Sequence, residues 1–309
     1  MKIAKKLVLL CMICLSYNIS GQTKAISVNY DSLLTASDSL SIFDLLDSLI
    51  SSGELAKPKS VLSIRAGYNS NITSAGRPFQ VNQFGLSAGS SFYHRSGIFA
   101  DVTGYWSNQY DPSYFLTVTS IGYMNTTLKK WSFIADYSHS FYNVADVSAI
   151  PYSDNIMAGI IFSDHNFYAR CDYYLFFGGK TGHRLIPSVT YNFNKKNWRG
   201  IKKISFYPSF SILFGNEEVQ YYEKLFSNRL QAIYRIRHNL PLFREVNSRA
   251  SGIMNYALVL PISILLKNWN FNFSYTYNIP KSLPHEEIDT SKEGFISFSL
   301  TRYLNFKKG

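Results

Sequence analysis

The residue types that most often carry out catalysis or bind metal are few and scattered in this sequence. None of the six histidines has a second histidine or a cysteine at the spacing of a zinc site. The most suggestive cluster is Ser138-His139-Ser140. In a β-strand, His139 would point to the opposite face from its two neighbours, so neither serine could donate a hydrogen bond to the ring. We therefore expect no catalytic residue, no metal site and no cofactor.

Six charged side chains stand out because they interrupt the polar side of strongly alternating segments. They are Arg65, Asp101, Asp136, Arg170, Asp172 and Arg184. Confined charges tend to pair, because an isolated buried charge is strongly disfavoured. These residues could form a structural network, or they could form a constriction that selects solutes by charge.

The elements that would position these residues are β-strands. Residues 60–309 alternate between apolar and polar side chains, and in 269–278 every odd position is aromatic and every even position is Asn, Ser or Thr. The polar side contains mostly Ser, Thr, Asn, Gly and Tyr rather than the many Lys and Glu of a surface in bulk water. This pattern favours a hydrated interior on one side of the sheet and lipid on the other.

Twelve alternating segments can be counted. They are 60–70, 80–93, 97–107, 114–128, 131–143, 154–163, 166–177, 184–194, 203–214, 252–265, 268–279 and 294–306. Most exceed the roughly 9–11 residues that cross a bilayer obliquely, and short connections alternate with longer ones. The sequence therefore predicts an all-β, transmembrane antiparallel β-barrel, closed because an open edge would leave backbone groups unpaired in lipid.

The longest connection, 215–251, allows two interpretations. We interpret it as an outer loop with local structure. If 230–237 were instead a strand with a partner nearby, the barrel would have fourteen strands.

The composition excludes several other classes of protein. The chain is 46% hydrophobic, 16% aromatic and 17% charged, which is too aromatic for a disordered protein. It contains no run of about 20 apolar residues, as a membrane-spanning helix would need. The formal net charge of +11 does not indicate nucleic-acid binding, because many basic residues fall in the proposed short turns. There they could meet anionic lipid headgroups.

The N-terminal residues predict export and a short helix. Residues 1–21 combine three early lysines, a nine-residue apolar block and a small residue at Gly21, which is typical of a cleaved signal peptide. The following segment, 22–59, is acidic. One helical face within it carries five apolar residues, namely Ile42, Leu45, Leu46, Leu49 and Ile50. This amphipathic helix could pack on the main domain or at its mouth, bind a partner protein, or plug a lumen.

The last strand makes the chain resemble Gram-negative outer-membrane β-barrel proteins. Residues 294–306 alternate toward an aromatic close at Phe306, similar to the C-terminal signal read by the barrel-assembly machinery. The chain departs from that pattern by continuing to Gly309. Arg302 falls on the apolar side, which suggests either that it lies near an interface or that the register shifts. The resemblance implies a barrel over 60–309 in the outer membrane, with 22–59 in the periplasm. It implies outer-membrane lipid and the assembly machinery as partners.

Three functions fit these observations, and they are ranked here by how well the sequence supports them. The leading hypothesis is a non-enzymatic barrel, either a narrow solute channel lined by the six charged residues or a structural membrane component. The alternative is an interaction or assembly protein that binds a periplasmic partner through its N-terminal helix. An outer-membrane hydrolase is the least favoured.

Overall fold

The computed structural model describes residues 60–70, 73–74, 77–78, 85–108, 112–125, 130–143, 152–286 and 292–305. The predicted signal peptide, the acidic segment 22–59 and its helical face of Ile42, Leu45, Leu46, Leu49 and Ile50 lie outside these residues. Phe306, at the end of the predicted assembly signal, lies outside them too.

The described residues form sixteen β-strands and one helix. The strands are β1 (Val61–Asn69), β2 (Thr73–Ser74), β3 (Arg77–Pro78), β4 (Gly85–Tyr93), β5 (Ile98–Trp106), β6 (Tyr114–Asn125), β7 (Trp131–Tyr142), β8 (Asp154–Asp164), β9 (Phe167–Phe177), β10 (Gly182–Tyr191), β11 (Phe193–Trp198), β12 (Ile201–Phe206), β13 (Ser209–Lys224), β14 (Phe243–Leu266), β15 (Trp269–Pro280) and β16 (Glu293–Asn305). The helix is α1 (Arg229–Arg237). None of the described helices is long and apolar enough to cross a bilayer.

The sheet closes into a barrel of twelve strands. Each strand pairs antiparallel with its neighbours, and β16 returns to β1 with Val61 opposite Asn305. A single residue separates β10 from β11, and Tyr207-Pro208 separates β12 from β13, so each of these two pairs acts as one barrel strand. Pro208 explains the second break, because proline has no N–H to donate to the ladder. The two-residue strands β2 and β3 form a separate hairpin.

The connection between the ninth and tenth barrel strands has the local structure that the favoured interpretation predicted, but it contains less loop than expected. Residues 230–237 are helical, so the fourteen-strand alternative is wrong. Much of 215–251 is not loop either, because β13 and β14 continue as a long hairpin with salt bridges between Glu223 and Arg244 (2.6 Å) and between Glu218 and Arg249 (3.9 Å). The side chain of Asn228 accepts a hydrogen bond from the backbone N–H of Gln231 and caps α1.

The barrel turns an apolar surface outward and a polar one inward. Large outward side chains such as Ile121 (58% exposed), Phe133 (44%) and Phe273 (41%) are left largely uncovered by the described residues. Trp131 and Trp269 lie beside short turns, and the guanidinium of Arg302 lies over the ring of Trp269 at 5.1 Å. A broad apolar belt with tryptophans at its edge fits a lipid bilayer.

Both ends of the described chain lie at the same mouth of the barrel. Val61 and Asn305 are neighbours there, and the tight turns after β4, β8, β11 and β14 lie at the same end. We call this end the short-turn mouth. The long β13–β14 hairpin and α1 project from the opposite end.

Candidate functional site

Alternation along the strands places all six predicted charged residues inside the barrel. The exposed fractions are 7% for Arg65 and Asp101, 9% for Asp136, 5% for Asp172 and 2% for Arg184. The side chain of Arg170 is 11% exposed. Together with Glu217 we call these residues the charged layer. Their location was predictable from the sequence, whereas a role in solute passage stays a prediction.

The first pair in the charged layer connects three neighbouring strands. Arg65 of β1 binds Asp101 of β5 through both of its terminal nitrogens, with N–O distances of 2.6 and 2.8 Å. Ser91 of β4 and Thr103 of β5 also contact both charged groups. This bidentate, hydroxyl-supported geometry compensates for removing two charges from water.

The second group lies on β7 and β9. Arg170 and Asp172 are two residues apart on β9, and the Nε of Arg170 donates to the Asp172 carboxylate at 2.8 Å. Asp136 accepts a hydrogen bond from Ser138 at 3.2 Å. Asp136 forms no salt bridge with any other described residue, so its carboxylate is the charge of the layer that is least neutralised.

The third pair includes a residue that sequence reasoning missed. Arg184 of β10 forms a salt bridge with Glu217 of β13 and donates to the backbone oxygen of Asn216. The hydroxyl of Tyr152 also donates to Glu217 at 3.4 Å. Glu217 was missed because its segment was interpreted as a loop. The sequence signal that could have revealed it is that acidic residues in 217–223 are followed by basic residues in 244–249, as expected of two paired strands.

Inward-facing glycines make room for the charged side chains. Each of four glycines lies against one of them: Gly89 against Arg65, Gly122 against Asp136, Gly159 against Asp172 and Gly215 against Arg184. A Cβ atom on Gly215 would come within 2.6 Å of the Arg184 Cδ, and one on Gly122 within 2.7 Å of the Asp136 Cβ. The interior is therefore shaped for these side chains to pack, and not simply to line a wide pore.

Apolar side chains fill the lumen on either side of the charged layer. Toward the short-turn mouth lie buried residues at the ends of their strands, including Val61, Tyr93, Phe99, Met124 and Tyr303. Toward the other end the same cluster continues with Leu116, Met157, Tyr174 and Phe176. Charged, aromatic and aliphatic side chains thus share the interior of the barrel.

One wall of the lumen is polar but uncharged. Along β15, the side chains of Asn270, Asn272, Thr276 and Asn278 all face inward and are 4–5% exposed. Two of them bond to β14, with Ser263 donating to Asn270 at 2.7 Å and Asn255 to Asn278 at 2.9 Å. This wall runs the length of the strand beside the more charged part of the interior.

The serine–histidine cluster is divided between the two faces of β7. Ser138 and Ser140 are buried inside, while His139 lies on the outward side with its Nδ1 at 2.7 Å from an Asp154 oxygen. Tyr137 and Ser153 donate to the same carboxylate at 2.5 Å. The partner Asp154 could not be predicted, because it belongs to the next strand. Across the described residues, no three His, Cys, Asp or Glu side chains are grouped so as to hold a metal ion.

These features define a class of protein. A closed antiparallel sheet with an apolar belt outside, aromatic residues near its edge and a polar interior is the architecture of a transmembrane β-barrel. The chain thus has the architecture that its resemblance to Gram-negative outer-membrane barrels implied.

No protein-family model and no curated protein sequence matches this chain. Solved barrels do match it. A KdgM porin is 9% identical over 78% of this chain and 98% of its own, with a TM-score of 0.47. An outer-membrane channel from Pseudomonas putida F1 is 8% identical over 80% of this chain and 96% of its own, with a TM-score of 0.41. LpxR from Salmonella typhimurium is 8% identical over 78% of this chain and 99% of its own, with a TM-score of 0.39.

Proposed function

We propose that this protein is an outer-membrane β-barrel that acts as a narrow solute channel, with the charged layer as its constriction. A closed barrel with an apolar belt belongs in a bilayer, and short turns alternating with longer loops are typical of barrels in the outer membrane. The short-turn mouth then faces the periplasm. The observation that carries the proposal is a layer of both charge signs across the lumen, beside a neutral polar wall on β15.

The constriction is expected to be closed at rest. Three arginines and four carboxylates meet in the layer, and the best-defined pair, Arg65 with Asp101, is only 6% and 3% exposed at its side chains. Passage of a solute requires these side chains to move aside. The protein should therefore conduct in rare, small steps and should not behave as an open pore.

A second candidate is a structural membrane component that never conducts. It is favoured by the glycines that seat the charged side chains, because tight packing stabilises a barrel without leaving a path. Binding of a periplasmic partner through the N-terminal helix remains a separate proposal. The division of Ser138 and His139 between opposite faces supports a non-enzymatic protein.

Reversal potentials in planar bilayers distinguish the two candidates. Asp136→Asn removes the carboxylate that lacks a salt bridge, so a channel should shift toward anion permeation. Asp164→Asn is the matched control, because Asp164 lies at a short turn outside the lumen and bridges Lys130. A reversal potential that shifts in the Asp136→Asn variant and not in the control supports the channel. If the wild-type protein and both variants conduct no more than protein-free lipid, the structural role is supported instead.

A further inference from the structure

Lys203 is a buried lysine at the short-turn mouth. It lies on β12 opposite Leu265 of β14, only a few residues from the turn that joins β14 to β15. Its exposed fraction is 5%, and alternation with the outward Phe206 turns it toward the lumen. Lysine is almost never buried this deeply unless an opposite charge accompanies it.

No opposite charge accompanies Lys203 in the described structure. Its ammonium group has neither a hydrogen bond nor a salt bridge with a described residue. Directly opposite it on β11 is another cation, Lys196. The hairpin of residues 193–206 carries five cations and no carboxylate. The carboxylate at a nearby turn, Asp164, is bound to Lys130 at 3.1 Å.

Neutral polar side chains face the lumen in the same part of the barrel as Lys203. Asn270 faces inward in the same row, since Leu265 pairs with Lys203 on one side and with Asn270 on the other. The Asn270 oxygen accepts from Ser263, which leaves its NH₂ group as a donor. Ser205, two residues along β12, is buried on the same side. Such donors beside two ammonium groups suit an anion.

The energetic cost of two neighbouring cations also favours a bound anion. Two like charges directly opposite each other on neighbouring strands destabilise a sheet. Lys196 is exposed, but the partial burial of the Lys203 ammonium adds a desolvation cost. A bound anion would remove both penalties. We propose that Lys196, Lys203 and Asn270 form an anion-binding site at the short-turn mouth, which takes a small solute bearing a carboxylate or a phosphate. The site goes beyond the proposed channel, because binding at equilibrium requires no conduction.

The test is anion-dependent thermal stabilisation of the full-length folded barrel in detergent. Inorganic phosphate and acetate serve as the two probes, and the tighter one identifies the class of anion. Each should raise the midpoint of the wild-type protein, since a ligand that binds only the folded state stabilises it. Lys203→Met should weaken the apparent affinity by about tenfold or more, the equivalent of one charge-assisted hydrogen bond.

The matched control is Lys202→Gln, at the neighbouring, exposed position of the same hairpin. The site predicts that this variant binds like wild type. It also predicts that Lys203→Met has a higher midpoint than wild type without anion, so a loss of binding cannot be ascribed to misfolding. The proposal is overturned if neither probe stabilises the wild type, or if both substitutions weaken binding equally, since the latter would indicate diffuse attraction to the hairpin.

Discussion

Replacing Asp101 with asparagine should destabilise the barrel, because Arg65 would keep its buried charge and lose the carboxylate that neutralises it. The pair is well suited to a quantitative test. Its two side chains are 6% and 3% exposed, and two separate N–O contacts of 2.6 and 2.8 Å join them. Asparagine preserves the shape of the side chain, so the change isolates the charge.

The size of the effect follows from the burial of the pair. Two unit charges about 4 Å apart attract by about 4 kcal/mol at an effective dielectric constant of about 20. Removing one partner of a buried pair usually costs about 3–5 kcal/mol, and we expect about 3 kcal/mol here because the amide still accepts a hydrogen bond. Replacing both residues by apolar ones, as in Arg65→Met with Asp101→Leu, should cost much less than the two single changes together.

Reversible urea unfolding in lipid vesicles measures these differences, with the mobility of unheated protein on a gel as a check that each variant folds. The control Asp164→Asn removes the same charge at an exposed turn and should not move the midpoint measurably. A loss of less than about 1 kcal/mol for Asp101→Asn, as expected of an exposed pair, would refute the reasoning. So would a double variant whose cost equals the sum of the single changes.

Two further predictions concern the packing of the lumen and the lipid-facing surface. Gly122→Ala should lower the free energy of unfolding by about 1–3 kcal/mol, because the new Cβ would meet the Ala135 carbonyl oxygen at 2.6 Å. Gly252→Ala, with its nearest neighbour at 3.3 Å, should change little, and equal losses in the two variants would argue against a filled lumen. Phe273→Arg should cost about 2–4 kcal/mol if the residue faces lipid, whereas Tyr222→Arg on the projecting hairpin should be neutral. A tolerated arginine at Phe273 would contradict the membrane assignment.

The sequence predicts the face of a residue better than its partners. Alternation with period two determines which side of the sheet a residue occupies, so the sequence alone places Arg65 and Asp101 inside the barrel. Which inward charges meet depends on the register between strands, and a strand pattern does not specify it. For this reason the pair of Arg65 with Asp101 and the partner Glu217 of Arg184 emerge only from the fold.

A related limit explains the segment 215–251, where the structure differs from the sequence-based interpretation. The charged ends of β13 and β14 resemble a loop, because outside the membrane a strand has no apolar face to reveal it. The pairing of Glu223 with Arg244 stabilises that hairpin instead. For Lys203, alternation along β12 predicts an inward side chain, whereas its position opposite Leu265 of β14 comes only from the register. Sequence patterns thus locate the membrane-spanning wall well and its extensions poorly.

The central claim is that the paired charges close a path through the barrel. Single-channel recording of a variant that lacks one charge pair tests this claim most directly. Replacing Arg65 and Asp101 together by alanine removes the best-defined pair of the layer without leaving an unpaired charge. The account predicts a larger unit conductance than in the wild-type protein, with the folded gel mobility retained. A folded double variant whose conductance equals that of the wild type would contradict it.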